Sequence, residues 1–123
     1  MTKFCQGDIW LANLNPQFKA EPGKTRPVLI IQTQHFLNIG HSTTLIVPLT
    51  TKLINNVEPL RLRILASGKL EKDSDLLIDQ MRSIDNSRFT GEKLLNIGAE
   101  RLTNVLVAIN KLISFRKPNR FLN

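Results

Sequence analysis

A chain of 123 residues has room for one hydrophobic core and excludes a separate regulatory module, so a single domain over residues 1–123 is the expectation. Its 17 Lys and Arg against 10 Asp and Glu give a net charge of +7 and a pI near 10.1, which favours a polyanionic partner, nucleic acid first. The lone Cys5 excludes an intrachain disulfide and has no Cys or His at zinc-ligand spacing; with no signal-like N-terminus and no apolar run of membrane-spanning length, a metal-free, cofactor-free, cytoplasmic protein is expected.

In chain order, Asp8 to Leu14 alternates well enough for a strand, with Ile9, Leu11 and Leu14 competing for the inner face around Trp10, which reads as core. Asn15-Pro16 ends it. A polar loop bearing Pro22 and Gly23 follows, and Val28 to Ile31 then read as a strand buried on both faces. Connections in compact domains usually run to about 4–6 residues, so a longer loop carrying Phe18, Lys19, Glu21, Lys24 and Arg26 is a candidate working loop. An arginine keeps its charge and presents a rigid fork of donors, so Arg26, at the junction of loop and strand, suits an oxyanion such as phosphate.

Thr43 to Leu49 reads as a third strand, and Pro48 near its end implies an edge position or a bulge, with Thr50 leaving the sheet there. Leu60-Arg-Leu-Arg-Ile64 alternates strictly, which puts Leu60, Leu62 and Ile64 inward and Arg61 and Arg63 outward as surface basics outside the site. Ser74 to Ile78 gives another strand, followed by a short polar turn or helix through Gln80, Arg82 and Asp85, in which Arg82 is open to locking by Asp85. Ala99, Leu102, Val105, Leu106, Ile109, Leu112 and Ile113 recur at helical spacing, with Gly98 to start the helix and a basic tail from Arg116 to Arg120 after it. Strands closed by one terminal helix give a mainly β, α+β domain, a small and strongly curved antiparallel barrel or sheet.

The chain resembles the MazF/PemK toxins of type II toxin–antitoxin modules. The matching pieces are Gly7-Asp8-Ile9-Trp10, Asn15-Pro16, Glu21-x-Gly23-x-x-Arg26-Pro27-Val28-Leu29-Ile30, Val47-Pro48-Leu49-Thr50 and Asp79-Gln80-x-Arg82-Ser83-Ile84-Asp85, in the family's order, followed by an amphipathic helix. The resemblance implies an SH3-like barrel of the MazF/PemK/CcdB kind. It further implies a homodimer that cleaves single-stranded RNA at short motifs without a metal and is restrained by an antitoxin. It also makes Arg26 and Thr50 the catalytic pair: Arg26 stabilises the non-bridging phosphate oxygens and Thr50 donates to the same phosphate. Glu21 matches a loop glutamate of some members and is a candidate base or RNA-positioning group. Asp79 matches an acidic residue of the PemK branch, but that branch's accompanying arginine and histidine are replaced here by Leu77 and Ala20, which favours the Arg26/Thr50 description.

Lys19, Lys24, Thr51, Asp79, Gln80 and Arg82 are candidate RNA-binding residues, with Phe18 as a stacking platform. His35 and His41 offer the familiar acid–base pair of ribonucleases, yet they fall outside the family pattern and read as surface residues, and Cys5 reads as inert. Two alternatives stay open from sequence. One is a gyrase-poisoning toxin like CcdB, whose C-terminal aromatic and acidic features the basic tail lacks; the other is a nucleic-acid-binding module without catalysis.

Overall fold

The computed structural model describes residues 3–21 and 23–115. Seven strands form one antiparallel sheet: β1 (Asp8–Asn13), β2 (Thr25–Ile30), β3 (Thr43–Thr50), β4 (Arg61–Ile64), β5 (Ser74–Leu77), β6 (Arg82–Asp85) and β7 (Phe89–Asn96). A short helix α1 (Gln34–Asn38) lies between β2 and β3, and α2 (Gly98–Ile113) closes the described chain. The strand order is β4-β5-β3-β2-β1-β7, with β6 pairing β3. No helix among the described residues is long and apolar enough to cross a membrane.

The apolar middles of β1, β2 and β3 are buried on both faces, including Trp10 and Ala12 as well as the Ile9 side of β1, while Leu11 is only half-buried. Ile9, Leu29, Val47 and Leu49 face one cluster, which includes Leu76 and Ile78 and is covered by Val105, Ala108 and Ile109 of α2. Trp10, Ala12, Val28, Ile30 and Ile46 face the other, with Leu14, Leu37 and Ile84, and Phe4 and Phe89 pack against it. Trp10 is core, as its sequence context predicts. The N-terminus of α2 is held by Asn96, whose Oδ1 accepts from the Gly98 N–H at 2.8 Å.

Several expectations change. β2 begins at Thr25, so Arg26 lies within the strand and not in the loop before it. Pro48 sits in a central strand opposite Val28 and not at an edge. It is tolerated because the other side of β3 changes partner there: Ile46 is the last residue paired with β6 and Leu49 the first paired with β5. The segment after Ile78 is a 3₁₀ turn, Ile78–Gln80, leading into β6 and not one polar turn through Asp85. Leu60 precedes β4 and is exposed, whereas Arg61 and Arg63 are ion-paired to the buried Asp75. Leu106, Leu112 and Ile113 of α2 also face outward, so its apolar face is wider than the core it covers. The basic tail from Arg116 to Arg120 lies outside the described residues.

Candidate active site

Arg26 and Thr50 meet through strand register. Val28 pairs with Pro48, and beyond that pair the two strands carry Arg26 and Thr50 to the lining of one cleft. The arginine is half-buried and held by two backbone carbonyls: Nε donates to Gly23 O at 2.9 Å and Nη1 to Leu49 O at 3.2 Å. Its Nη2 group makes no hydrogen bond among the described residues, which leaves one edge of the guanidinium for a ligand. Burial lowers the Arg26 pKa from the ordinary arginine value, yet an arginine stays charged at neutral pH.

These groups line a cleft of about 290 Å³ formed by Lys24, Thr25, Arg26, Pro27, Leu49, Thr50, Thr51, Lys52 and Ser74. Thr50 closes β3, and its Oγ1 accepts from the Lys52 N–H at 3.2 Å, so its hydroxyl proton is available to a second partner. A fixed guanidinium, a threonine hydroxyl and two lysines lining one cleft are donors of the kind that phosphodiester oxygens accept from. Lys24, Thr51, Arg26 and Thr50 are thus brought together as expected from sequence. Lys52 joins them although its spacing gives no signal, because the turn after β3 determines which way it points.

The remaining candidates lie elsewhere. Phe18, Lys19 and Glu21 occupy the exposed β1–β2 loop and do not line the cleft. Phe18 is 62% exposed, with the Lys19 ammonium 5.4 Å from its ring centroid. Asp79 and Gln80 line a second hollow of about 260 Å³ with Ala20, Ile54, Val57, Leu60, Arg61 and Leu77. Arg82 lies in β6 opposite Ile46, and the lock by Asp85 is absent among the described residues, where Asp85 instead caps a turn by accepting from the Ser87 N–H at 2.8 Å. His35 and His41 are exposed around Phe36. Among the described residues, no three His, Cys, Asp or Glu side chains group so as to hold a metal ion.

Gly23, part of the Glu21-x-Gly23-x-x-Arg26 motif, is sterically constrained in the structure. A Cβ there would lie 2.5 Å from the Gln17 Cβ and 2.8 Å from its Cα, so any side chain forces the loop backbone apart. The carbonyl that orients Arg26 would move with it. Gly23→Ala is expected to lower activity at this cleft roughly 10- to 100-fold while the melting temperature shifts by only a few degrees. A single-turnover rate measured beside a thermal melt checks this, and full activity would show that the carbonyl does not orient Arg26.

The model of the family described as PemK-like, MazF-like toxin of type II toxin-antitoxin system matches residues 5–113. Endoribonuclease MazF of Staphylococcus saprophyticus is 37% identical over 107 residues, covering 85% of this chain and 87% of that protein. Among solved structures, MazF from Deinococcus radiodurans aligns with a TM-score of 0.73 at 23% identity, covering 94% of this chain and 99% of that one. A chain of the MazE–MazF structure (Form-II) from the same organism gives 0.71 at 17% identity over 94% of this chain and 100% of its own. Mycobacterium tuberculosis toxin MazF-mt6 gives 0.71 at 19% identity, covering 89% and 99%. The structural likenesses carry the fold: a mainly antiparallel sheet with a C-terminal helix.

Proposed function

The chain belongs to the PemK-like, MazF-like toxins of type II toxin–antitoxin systems and is a MazF-like endoribonuclease toxin; we propose that its Arg26/Thr50 cleft cuts single-stranded RNA at short motifs without a metal ion. The observation that carries this reading is the double carbonyl grip that fixes the Arg26 guanidinium in a cleft whose lining also includes Thr50.

In the proposed step the 2′-hydroxyl oxygen of one nucleotide attacks the adjacent phosphorus, a 2′-O–P bond forms and the P–O5′ bond breaks. The products are a 2′,3′-cyclic phosphate and a 5′-hydroxyl. Charge builds on the non-bridging oxygens of the phosphorane, where the Arg26 guanidinium, charged throughout, and the Thr50 hydroxyl donate hydrogen bonds, and the leaving O5′ takes its proton from solvent water. We assign the 2′-hydroxyl proton to Glu21, which bound RNA would draw with its loop against the cleft. Lys19, Lys24, Thr51 and Lys52 follow the backbone, Phe18 stacks on a base, and Asp79 and Gln80 read base edges in the second hollow, with Arg82 beside them. RNA carrying a 2′-deoxy substitution at the scissile nucleotide is expected to bind and stay uncut. Cleavage of that substrate to a 3′-hydroxyl and 5′-phosphate would refute the mechanism.

The finer architecture is part of the same proposal. One domain over residues 1–123 closes as an SH3-like barrel, supported by β3 passing from β6 to β5 along one side while pairing β2 on the other. The protein acts in the cytoplasm as a homodimer with no membrane contact. Its partner in restraint is a cognate antitoxin, an acidic and apolar segment that folds across the basic groove, supported by the net charge of +7 and by neighbours crystallised with MazE or a cognate antitoxin.

A further inference from the structure

A second feature built around charge lies outside the cleft's lining. Asp75, 1% exposed, sits in β5 opposite Thr50 on one side and opposite Arg63 on the other. Its Oδ1 accepts from Arg63 Nε at 2.9 Å, and its Oδ2 from Arg61 Nη1 at 3.3 Å and from the Ile54 N–H at 2.9 Å. The two arginines reach past the carboxylate to the same loop. Arg61 Nη1 donates to Lys52 O at 2.7 Å, and Arg63 Nη1 to Asn55 Oδ1 at 2.7 Å. Burial alone would raise the Asp75 pKa, but the hydrogen bonds from Arg63, Ile54 and Arg61 outweigh it and hold the carboxyl below its ordinary value.

The β3–β4 loop so gripped supplies walls to both hollows. Lys52 lines the Arg26/Thr50 cleft, and Ile54 and Val57 line the hollow with Asp79 and Gln80. Apart from this grip the loop is largely exposed, with Leu53 and Ile54 43% and 50% accessible, so little apolar burial fixes its path. From this arrangement we infer that the Arg61–Asp75–Arg63 cluster is a positioning device that sets the shape of the β3–β4 loop, and through it the RNA motif that is cut and the rate of cutting. This rests on the nuclease reading above. Asp75 is too buried to touch RNA, so it acts only through the loop and through Thr50, its ladder neighbour.

Electrostatics alone predicts the opposite sign, which makes the inference testable. Replacing Asp75 by Asn removes one negative charge and takes the net charge from +7 to +8, favouring RNA binding. As a positioning residue, Asp75→Asn is expected to lower kcat roughly 10- to 100-fold with KM unchanged or lower, and to broaden the set of cut motifs. Exchange of the Ile54 amide hydrogen should speed up at the same time. Arg63→Met, on an exposed residue whose loss leaves Arg61 on the carboxylate, keeps the test alive should the Asp75 variant not fold, and is expected to broaden the motif likewise. Wild-type cutting with unchanged rate, motif and Ile54 exchange in the folded variants would overturn the cluster's role while leaving the nuclease reading intact. RNA left whole by the wild type would overturn the nuclease reading, and the cluster's part in specificity with it.

Discussion

Arg26→Ala is expected to slow RNA cleavage on the order of 10²–10³-fold, the loss typical of one preorganised donor at a developing oxyanion. The reason is geometric. Two backbone carbonyls already hold the guanidinium, so its orientation is in place before substrate arrives and no reorganisation is needed at the phosphorane. Arg26→Lys keeps the charge but not the fork; a single ammonium cannot serve Gly23, Leu49 and a phosphate in the same plane, and little activity should return. The fold should persist, since the side chain is half-buried and no core cluster contains it. Single-turnover rates on a short RNA, measured beside thermal melts, check both halves. A folded alanine variant within a few-fold of wild type would remove Arg26 from the chemistry.

The largest effect on stability is expected at Trp10. The indole is 5% exposed, meets the Phe4 ring edge-on at a centroid distance of 4.9 Å and lies 6.4 Å from Phe89. Its Nε1 donates to Asp8 Oδ2 at 3.2 Å, and that buried carboxylate also accepts from the Cys5 N–H and from Asn96 Nδ2. Trp10 therefore ties the chain before β1, β1 itself and the start of β7 into one unit. Its replacement by alanine opens a large cavity and removes a donor from a buried anion. A loss of about 3–5 kcal/mol is expected. For a domain of this size that is a fall in melting temperature on the order of 10–20 °C. Trp10→Phe should restore most of it. Unchanged melting with loss of RNA binding would instead make Trp10 a stacking platform.

The parts of the fold legible in the sequence are those with strong local patterns. β1, β3 and β5 are read from apolar or alternating runs, and α2 from its three- and four-residue spacing. β7 is not, although β1 rests on it. Its Gly91-Glu92-Lys93 interrupts any alternation, and its pairing with β1 passes through register shifts on both sides of Trp10, a non-local fit that composition does not encode. Of the candidate site, Arg26 and Thr50 are legible because local chemistry and family motif fall on the same residues, whereas Lys24 and Thr51 are legible only as polar neighbours of that motif. Alternation puts Arg61 and Arg63 on the outward side, where Arg63 is indeed exposed, but it does not reveal that the β4–β5 register sets Arg63 against a buried carboxylate in the next strand. A side chain's face can be read from period two; what lies across from it cannot.

The most direct test of the central claim is to incubate the wild-type protein with a long single-stranded RNA in EDTA and map every cut end. Discrete cuts that share a short motif, leave cyclic phosphate ends, ignore the chelator and vanish in Arg26→Ala and Thr50→Ala are the predicted result. Intact RNA beside a folded protein that still arrests growth would contradict it and turn attention to gyrase.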